Sequence, residues 1–480
     1  MKRWKSAILF VFILVCAFMT NHATALAATE AGTESLGSTL SLAYCIPFAG
    51  MLLSIAIAPL LVGAWWDNHK QYAVIAWSLL FLIPFAVFVG AGAAWEQLLE
   101  VIFGDYITFI VLLFGLFCVA GNIHIGGKVI GKPSTNVIML AIGTLLAGWI
   151  GTTGASMVMI RPILRANKWR KRKVQVVVFF IFLVSNIGGC LTPVGDPPLL
   201  MGFANGVSFT WSFRLFPILV SNMILLLGMF ALIDSHAYKK DIAEGIKLPE
   251  KDANRKLYLS GAHNLIFLIM IVGAVVLSGT LPKLVPALAG GIPIYGEVSM
   301  SFASIIEVVI ILLAAGLSYF TTNKEVREKN HFTWDAIQEV AVLFIGIFIT
   351  MIPALLILKA RGAQLGLSQP WQFFWITGAL SSFLDNTPTY LVFFTTAASL
   401  GFTEGIKVSV GYIPQILLMA ISCGAVFMGA NTYIGNAPNF MVRSIAEENG
   451  TKMPSFFGYM AWSVSCLIPV FLIDMLVFLM

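Results

Sequence analysis

Residues 192–200 read TPVGDPPLL, a turn-forming string with one carboxylate, set inside the apolar run 174–203, which is long enough to cross a bilayer. Lipid cannot hydrogen-bond the backbone groups that Gly195, Pro197 and Pro198 set free, so such a break survives at membrane depth only where it lines a protein cavity. The local grammar is that of a helix stopped and restarted. Gly195 lets the chain unwind, Asp196 stands where an N-cap belongs, and Pro197 takes the first helical position, where a missing N–H costs nothing. The amino end of the second half-helix carries roughly +0.5 charge, so this point can hold an anion or steady a carboxylate. Asp196 has two readings: a cap only, or an ionisable group marking an ion path, because charge inside a bilayer is costly.

A second break has the same grammar. The ten residues from Thr192 to Met201 align without a gap on those from Thr432 to Met441, with Thr, Gly, Pro and Met recurring at matching places and Asn436 standing for Asp196. Because a neutral residue can cap, the charge on Asp196 favours the ion-path reading.

The rest of the chain is a membrane protein by composition. Of 480 residues, 59% are hydrophobic and 11% charged, against about a quarter charged in soluble domains. Apolar windows place spans near 40–64, 72–93, 104–123, 174–203, 211–233, 264–281, 303–320, 336–357, 408–442 and 456–479. Two further apolar blocks, 136–165 and 371–400, are interrupted at their centres, by Gly151-Thr152-Thr153-Gly154-Ala155-Ser156 and by Ser381-Ser382-Phe383-Leu384-Asp385-Asn386-Thr387-Pro388. Charge decides how to thread them. Read as hairpins that enter and leave on one face, they put 21 of the 29 lysines and arginines inside and five outside, with three in the leader. Reading just one block as a full span breaks the positive-inside rule.

The hairpins then enter from opposite faces, which predicts an all-α polytopic inverted-repeat transporter with two re-entrant hairpins and two broken transmembrane helices. The expected parts are a signal peptide over 1–27, a first repeat over 40–233, a polar cytoplasmic linker over 234–262 and a second repeat over 263–480. Lys2, Arg3 and Lys5 precede the apolar run Ala7–Met19, with ALA at 25–27 for cleavage; the alternative is an uncleaved anchor. The expected location is the inner membrane. The net charge of +6 carries no basic patch interleaved with aromatics, so nucleic acid is not an expected partner. Cys45, Cys118, Cys190, Cys423 and Cys466 lack metal-ligand spacing and read as small core hydrophobes.

The chemistry concentrates in the four interruptions. Thr387 before Pro388 reads as another N-cap, leaving Asp385 and Asn386 facing the break. Carboxylate, amide, hydroxyl and carbonyl oxygens suit a hard cation such as Na+, for which Asp385 and Asn386 are the expected ligands. Thr152, Thr153 and Ser156 at the first tip, Thr192 and Gly195 in the first break, and Asn431, Thr432, Gly435 and Asn436 in the second complete the candidate set. Protons compete for the same carboxylates, so Na+ loading would expel H+; no other cofactor is expected. His69, His124, His236, His263 and His331 fall in or beside inner loops and read as solvated. Asp105 and Glu339 read as span-end residues, with Glu307 and Asp474 deeper and second in rank. No nucleophile–base pair, metal cluster or phosphate loop points to an enzyme.

With SNIGGCLTPVGDPP in one half and DNTP plus GANTYIGNAPN in the other, the chain resembles the ion transporter superfamily, and within it the NhaD-type sodium/proton antiporters and the related citrate transporter family. The resemblance implies a scaffold and a moving transport domain, commonly in a homodimer, carrying small ions or small carboxylates. Dicarboxylate relatives hold sodium and substrate with Ser-Asn-Thr at both hairpin tips. Here the tips read Thr152-Thr153-Gly154 and Asp385-Asn386-Thr387, and a fixed charge at Asp385 would repel an anion. The expected function is Na+/H+ antiport, with Na+- or H+-coupled citrate or dicarboxylate transport as the alternative.

Overall fold

The computed structural model describes residues 33–480 apart from 128, 250–257, 289 and 331. The expected leader, Lys128 and His331 lie outside the described residues. In chain order the helices are α1 Thr33–Thr39, α2 Ile46–Phe88, α3 Ala91–Glu100, α4 Ile107–Gly121, α5 Pro133–Ile150, α6 Thr152–Ala166, α7 Val174–Leu183, α8 Pro197–Ala204 and α9 Phe216–Ala243. There follow α10 Asn264–Leu284, α11 Phe302–Thr321, α12 Lys324–Lys329, α13 Asp335–Arg361, α14 Pro370–Ser381, α15 Asn386–Ala398, α16 Gln415–Met428, α17 Ala437–Glu448 and α18 Phe456–Phe478. Among the described residues the strands form three two-stranded antiparallel ribbons, one of which, His124–Gly126 on Tyr258–Ser260, ties the first half to the end of the segment 234–262. The protein is an all-α polytopic membrane protein.

Ten helical stretches among the described residues are long and apolar enough to cross a membrane. Nine coincide with expected spans. The tenth, Pro133–Ile150, is the first arm of the first hairpin, while the expected span 408–442 is divided between α16 and α17. α2 holds two spans joined at a bend where Val62 leaves helical geometry (φ −139°, ψ 41°). Helical structure does not begin at Asp105: α3 runs through a π-helical turn, Val101–Tyr106, directly into α4, so Asp105 lies within a continuous helical stretch. α9 continues to Ala243, making the first ten residues of 234–262 helical.

Burial shows what stands at the centre. Of Val174–Leu191, 94% of the residues are buried, and of an 18-residue apolar segment within Asp335–Leu365, 67%, whereas the corresponding segments of the other spanning stretches lie between 22% and 39% and turn their apolar flanks outward to lipid. The most enclosed element is thus the helix that carries the first break.

The faces are marked by polar contacts. On the basic face, Lys70 pairs with Glu339 at 2.9 Å, and Asn330 binds the Gly121 and Ile123 carbonyls at the end of α4. At the far end of α13, Arg361 donates to the Gly37 and Leu40 carbonyls. His124 is not solvated: it is buried, with Nδ1 2.8 Å from Asn330 Oδ1, and burial pushes its imidazole below the ordinary value of 6.5. A lone His beside a loop gave no sign of the neighbour 206 residues on that encloses it.

The two hairpins differ at their bases. The first is moored on the basic face by a buried network: Asn136 and Asn167 bond each other, Asn136 and Gln175 reach Asp234, and Arg170 pairs with Asp234 at 2.7 Å with both side chains fully buried. The second begins at an exposed capping box of Gln369 and Gln372.

Candidate functional site

Each interruption ends one helix and begins another. At the first tip Gly151 turns the chain with φ 79°, a value glycine accommodates without strain, and α6 starts at once with Thr152. That tip docks on the first break: Thr152 N–H donates to the Gly195 carbonyl at 2.9 Å, and the Thr192 hydroxyl donates to the Gly148 carbonyl. The second tip docks on the second break in like manner, the Thr432 hydroxyl donating to the Ser382 carbonyl. Close approach is what the glycines permit. A β-carbon on Gly435 would lie 2.5 Å from the Gly429 carbonyl oxygen and 2.8 Å from that of Ser381, and one on Gly195 would collide with the Gly189 carbonyl. Residues 189, 192 and 195 therefore do at the first break what 429, 432 and 435 do at the second.

Asp196 joins the two halves. It has the extended backbone of an N-cap (φ −143°, ψ 140°) but makes no capping hydrogen bond. Its side chain, 1% exposed, instead receives the Thr152 hydroxyl on Oδ1 at 2.9 Å and the Asn386 amide on Oδ2 at 3.1 Å. One carboxylate thus ties both hairpin tips to one break, so both tips end inside the protein. The lengths agree: α14 and α15, of 12 and 13 residues, rise about 18–20 Å, short of a bilayer core of about 30 Å. The amino ends of α6, α8 and α15 all meet at this carboxylate, an arrangement that favours negative charge there. Among the described residues no lysine or arginine pairs with it.

Asn436, the counterpart of Asp196, also declines to cap. Its amide donates to the Ser185 carbonyl and to Asn186 Oδ1, each at 3.2 Å. Asn186 donates onward to Asn439 Oδ1 at 2.7 Å, and Asn439 holds the Gly429 and Thr432 carbonyls. Ser156 reaches the same region through Ser185, oxygen to oxygen 2.9 Å. Asn431 donates to the Ser382 hydroxyl at 2.9 Å, and its Oδ1, like Thr387 Oγ1, is buried without a partner among the described residues. Thr153 is half-buried beside the first tip.

The second tip differs from expectation. α15 starts at Asn386, and its cap is Asp385, whose Oδ1 accepts the Thr387 N–H at 3.1 Å. Asp385 is half-buried and faces its own helix, while Asn386 alone turns to the break, its Oδ1 held by the Ser381 hydroxyl at 2.6 Å. Pro388 then sits in the first turn, where N–H groups lack helical partners in any case. Ser185, Asn186, Ser381, Ser382 and Asn439 were missing from the expected set. Polar residues inside otherwise apolar spans are the signal that marks them.

Two interrupted helices, each met within the protein by a hairpin tip and joined through a buried carboxylate, define a multi-pass secondary transporter. The model of the family described as "Putative citrate transport" matches residues 37–479, and the chain belongs to that family. No curated protein matches it.

Proposed function

We propose that the chain exchanges Na+ for H+ across the membrane, with Asp196 as the group that the two ions occupy in turn. The observation that carries this reading is the Asp196 carboxylate, enclosed between both tips, bonded only to uncharged donors and without a cationic side chain among the described residues. A charge so placed costs several kcal/mol unless compensated, so a mobile cation or proton completes the site. The unpartnered oxygens of Thr387 and Asn431 offer a hard cation further ligands of the kind it prefers. Reciprocal movement of the hairpins then exposes the loaded site to one face at a time, and the positive-inside rule makes the basic face cytoplasmic. Everted vesicles holding the protein should dissipate a pH gradient on adding Na+ or Li+, and Asp196→Asn should abolish the response. An undiminished response in that variant would remove Asp196 from the mechanism.

Membership of a family described by citrate transport favours a second reading, Na+- or H+-coupled uptake of citrate or a dicarboxylate. The convergent helix amino ends suit substrate carboxylates. Labelled citrate uptake into proteoliposomes under a Na+ gradient separates the two readings.

A further inference from the structure

A second buried carboxylate lies outside this site. Asp474 on α18 is fully buried, and its Oδ2 accepts the Asn222 amide of α9 at 2.7 Å. The same amide nitrogen also donates to the Ile218 carbonyl at 2.9 Å, which fixes its orientation and leaves Asn222 Oδ1 facing away from both. Both Asp474 Oδ1 and Asn222 Oδ1 are buried with no partner among the described residues. Two orphaned acceptors on one bonded pair lack a donor, and a buried acceptor left unmade costs about 1–3 kcal/mol.

The surroundings choose the missing donor. A hard cation takes a shell of several oxygens, yet among the described residues Asp474 belongs to no acidic cluster that could hold a metal, and the titratable groups within electrostatic reach of it are the thiols of Cys190, beside the first break, and Cys423 on α16. The adjoining α14 presents the Trp375 indole, which is already bonded to the Met475 sulfur. A proton needs no such shell: on Oδ1 it neutralises the buried carboxylate while Oδ2 keeps the Asn222 amide. Position makes it exchangeable. Asp474 is four residues from the end of α18 and Asn222 six from the start of α9, about 6 and 9 Å along each axis. Both ends lie on the face opposite the basic one. Cys190 is within electrostatic reach of both Asp474 and Asp196, so the pair lies between that face and the transport site.

We propose that Asp474 and Asn222 form a second proton-binding site, a station between the non-basic face and Asp196 that loads and releases one proton in each cycle. The role in the cycle rests on the transport reading; proton binding itself does not. Infrared difference spectra of the purified full-length protein, taken between acid and alkaline pH, should show a protonated-carboxyl C=O band. That band should vanish in Asp474→Asn, survive in Asp196→Asn, and move to higher frequency in Asn222→Ala, where the C=O loses its donor. In proteoliposomes the initial rate of Na+-driven proton flux should fall by about tenfold or more in Asp474→Asn, with the proton count per turnover unchanged, because the station hands its proton on to Asp196. A spectrum unchanged by Asp474→Asn, or a band indifferent to pH, overturns the proposal. Should Asp474→Asn fail to fold, the frequency shift in Asn222→Ala decides. Absence of Na+-driven proton flux in the unaltered protein would instead defeat the antiport reading and leave the spectroscopic result standing.

Discussion

Replacing Gly435 by alanine tests whether the second hairpin must seat on the second break for the protein to work. The added β-carbon would lie 2.5 Å from the Gly429 carbonyl oxygen, 2.8 Å from that of Ser381 and 3.0 Å from that of Ser382. Ordinary van der Waals contact begins near 3.4 Å, so all three neighbours must retreat. None can do so by rotating a side chain, since all are main-chain atoms, and they belong to both the break and the tip. Overpacking a rigid site costs about 1–3 kcal/mol, and backbone on every side places this case near the top. At 1.4 kcal/mol per factor of ten, about 3 kcal/mol lowers the population of the seated hairpin on the order of 100-fold. Initial transport rates in proteoliposomes at matched protein content should fall by at least tenfold. Gly228→Ala and Gly316→Ala, where the new atom meets nothing within 4 Å, serve as controls and should transport normally. Gly435→Ala transporting at the unaltered rate would show that the close seating of tip on break is not needed.

Asp385→Ala should weaken the protein by about 1 kcal/mol, the usual worth of an N-cap, and leave transport measurable, whereas a transport-dead but fully stable variant would return Asp385 to the ion path. Arg170→Met leaves the buried Asp234 without its ion-pair partner, while Asp241 keeps Arg172. A cost of about 3–5 kcal/mol should appear as a large drop in melting temperature in detergent, and an unchanged melting point would refute it. His124 gives a pH signature. Its folded value lies below 6.5, so between that lowered value and 6.5 the unfolded chain binds more protons and stability rises with pH. Melting temperature should therefore decline as pH falls from 7 towards 5, and His124→Gln should flatten that slope.

Much of this arrangement could be read from the chain. Gly and Pro inside apolar runs announced both breaks, because lipid tolerates freed backbone only beside a cavity, and charge bookkeeping identified both hairpins. Asp196 and Asn386 were named in advance, and the structure brings them together. What misled was the string Asp385-Asn386-Thr387-Pro388. Proline is tolerated throughout the first helical turn, not only at its first residue, so the rule that picked Thr387 as cap fits Asp385 equally well. Once Asp385 caps, the carboxylate between the tips is Asp196. Asn186 and Asn439 were passed over for another reason. Each lies within a motif already quoted, but their partnership spans 253 residues, which no local pattern reveals.

The unequal footings of the two hairpins bear on how such a machine can move. A loop pinned by buried ions and interlocked amides is stiff; one resting on solvent-washed glutamines is compliant. When cargo tugs on a carboxylate shared by both, the displacement collects in the softer limb. If the hairpins are the doors of the proposed exchange cycle, the unequal anchoring makes that passage lopsided, and the hairpin of residues 370–398 is the one expected to give way first.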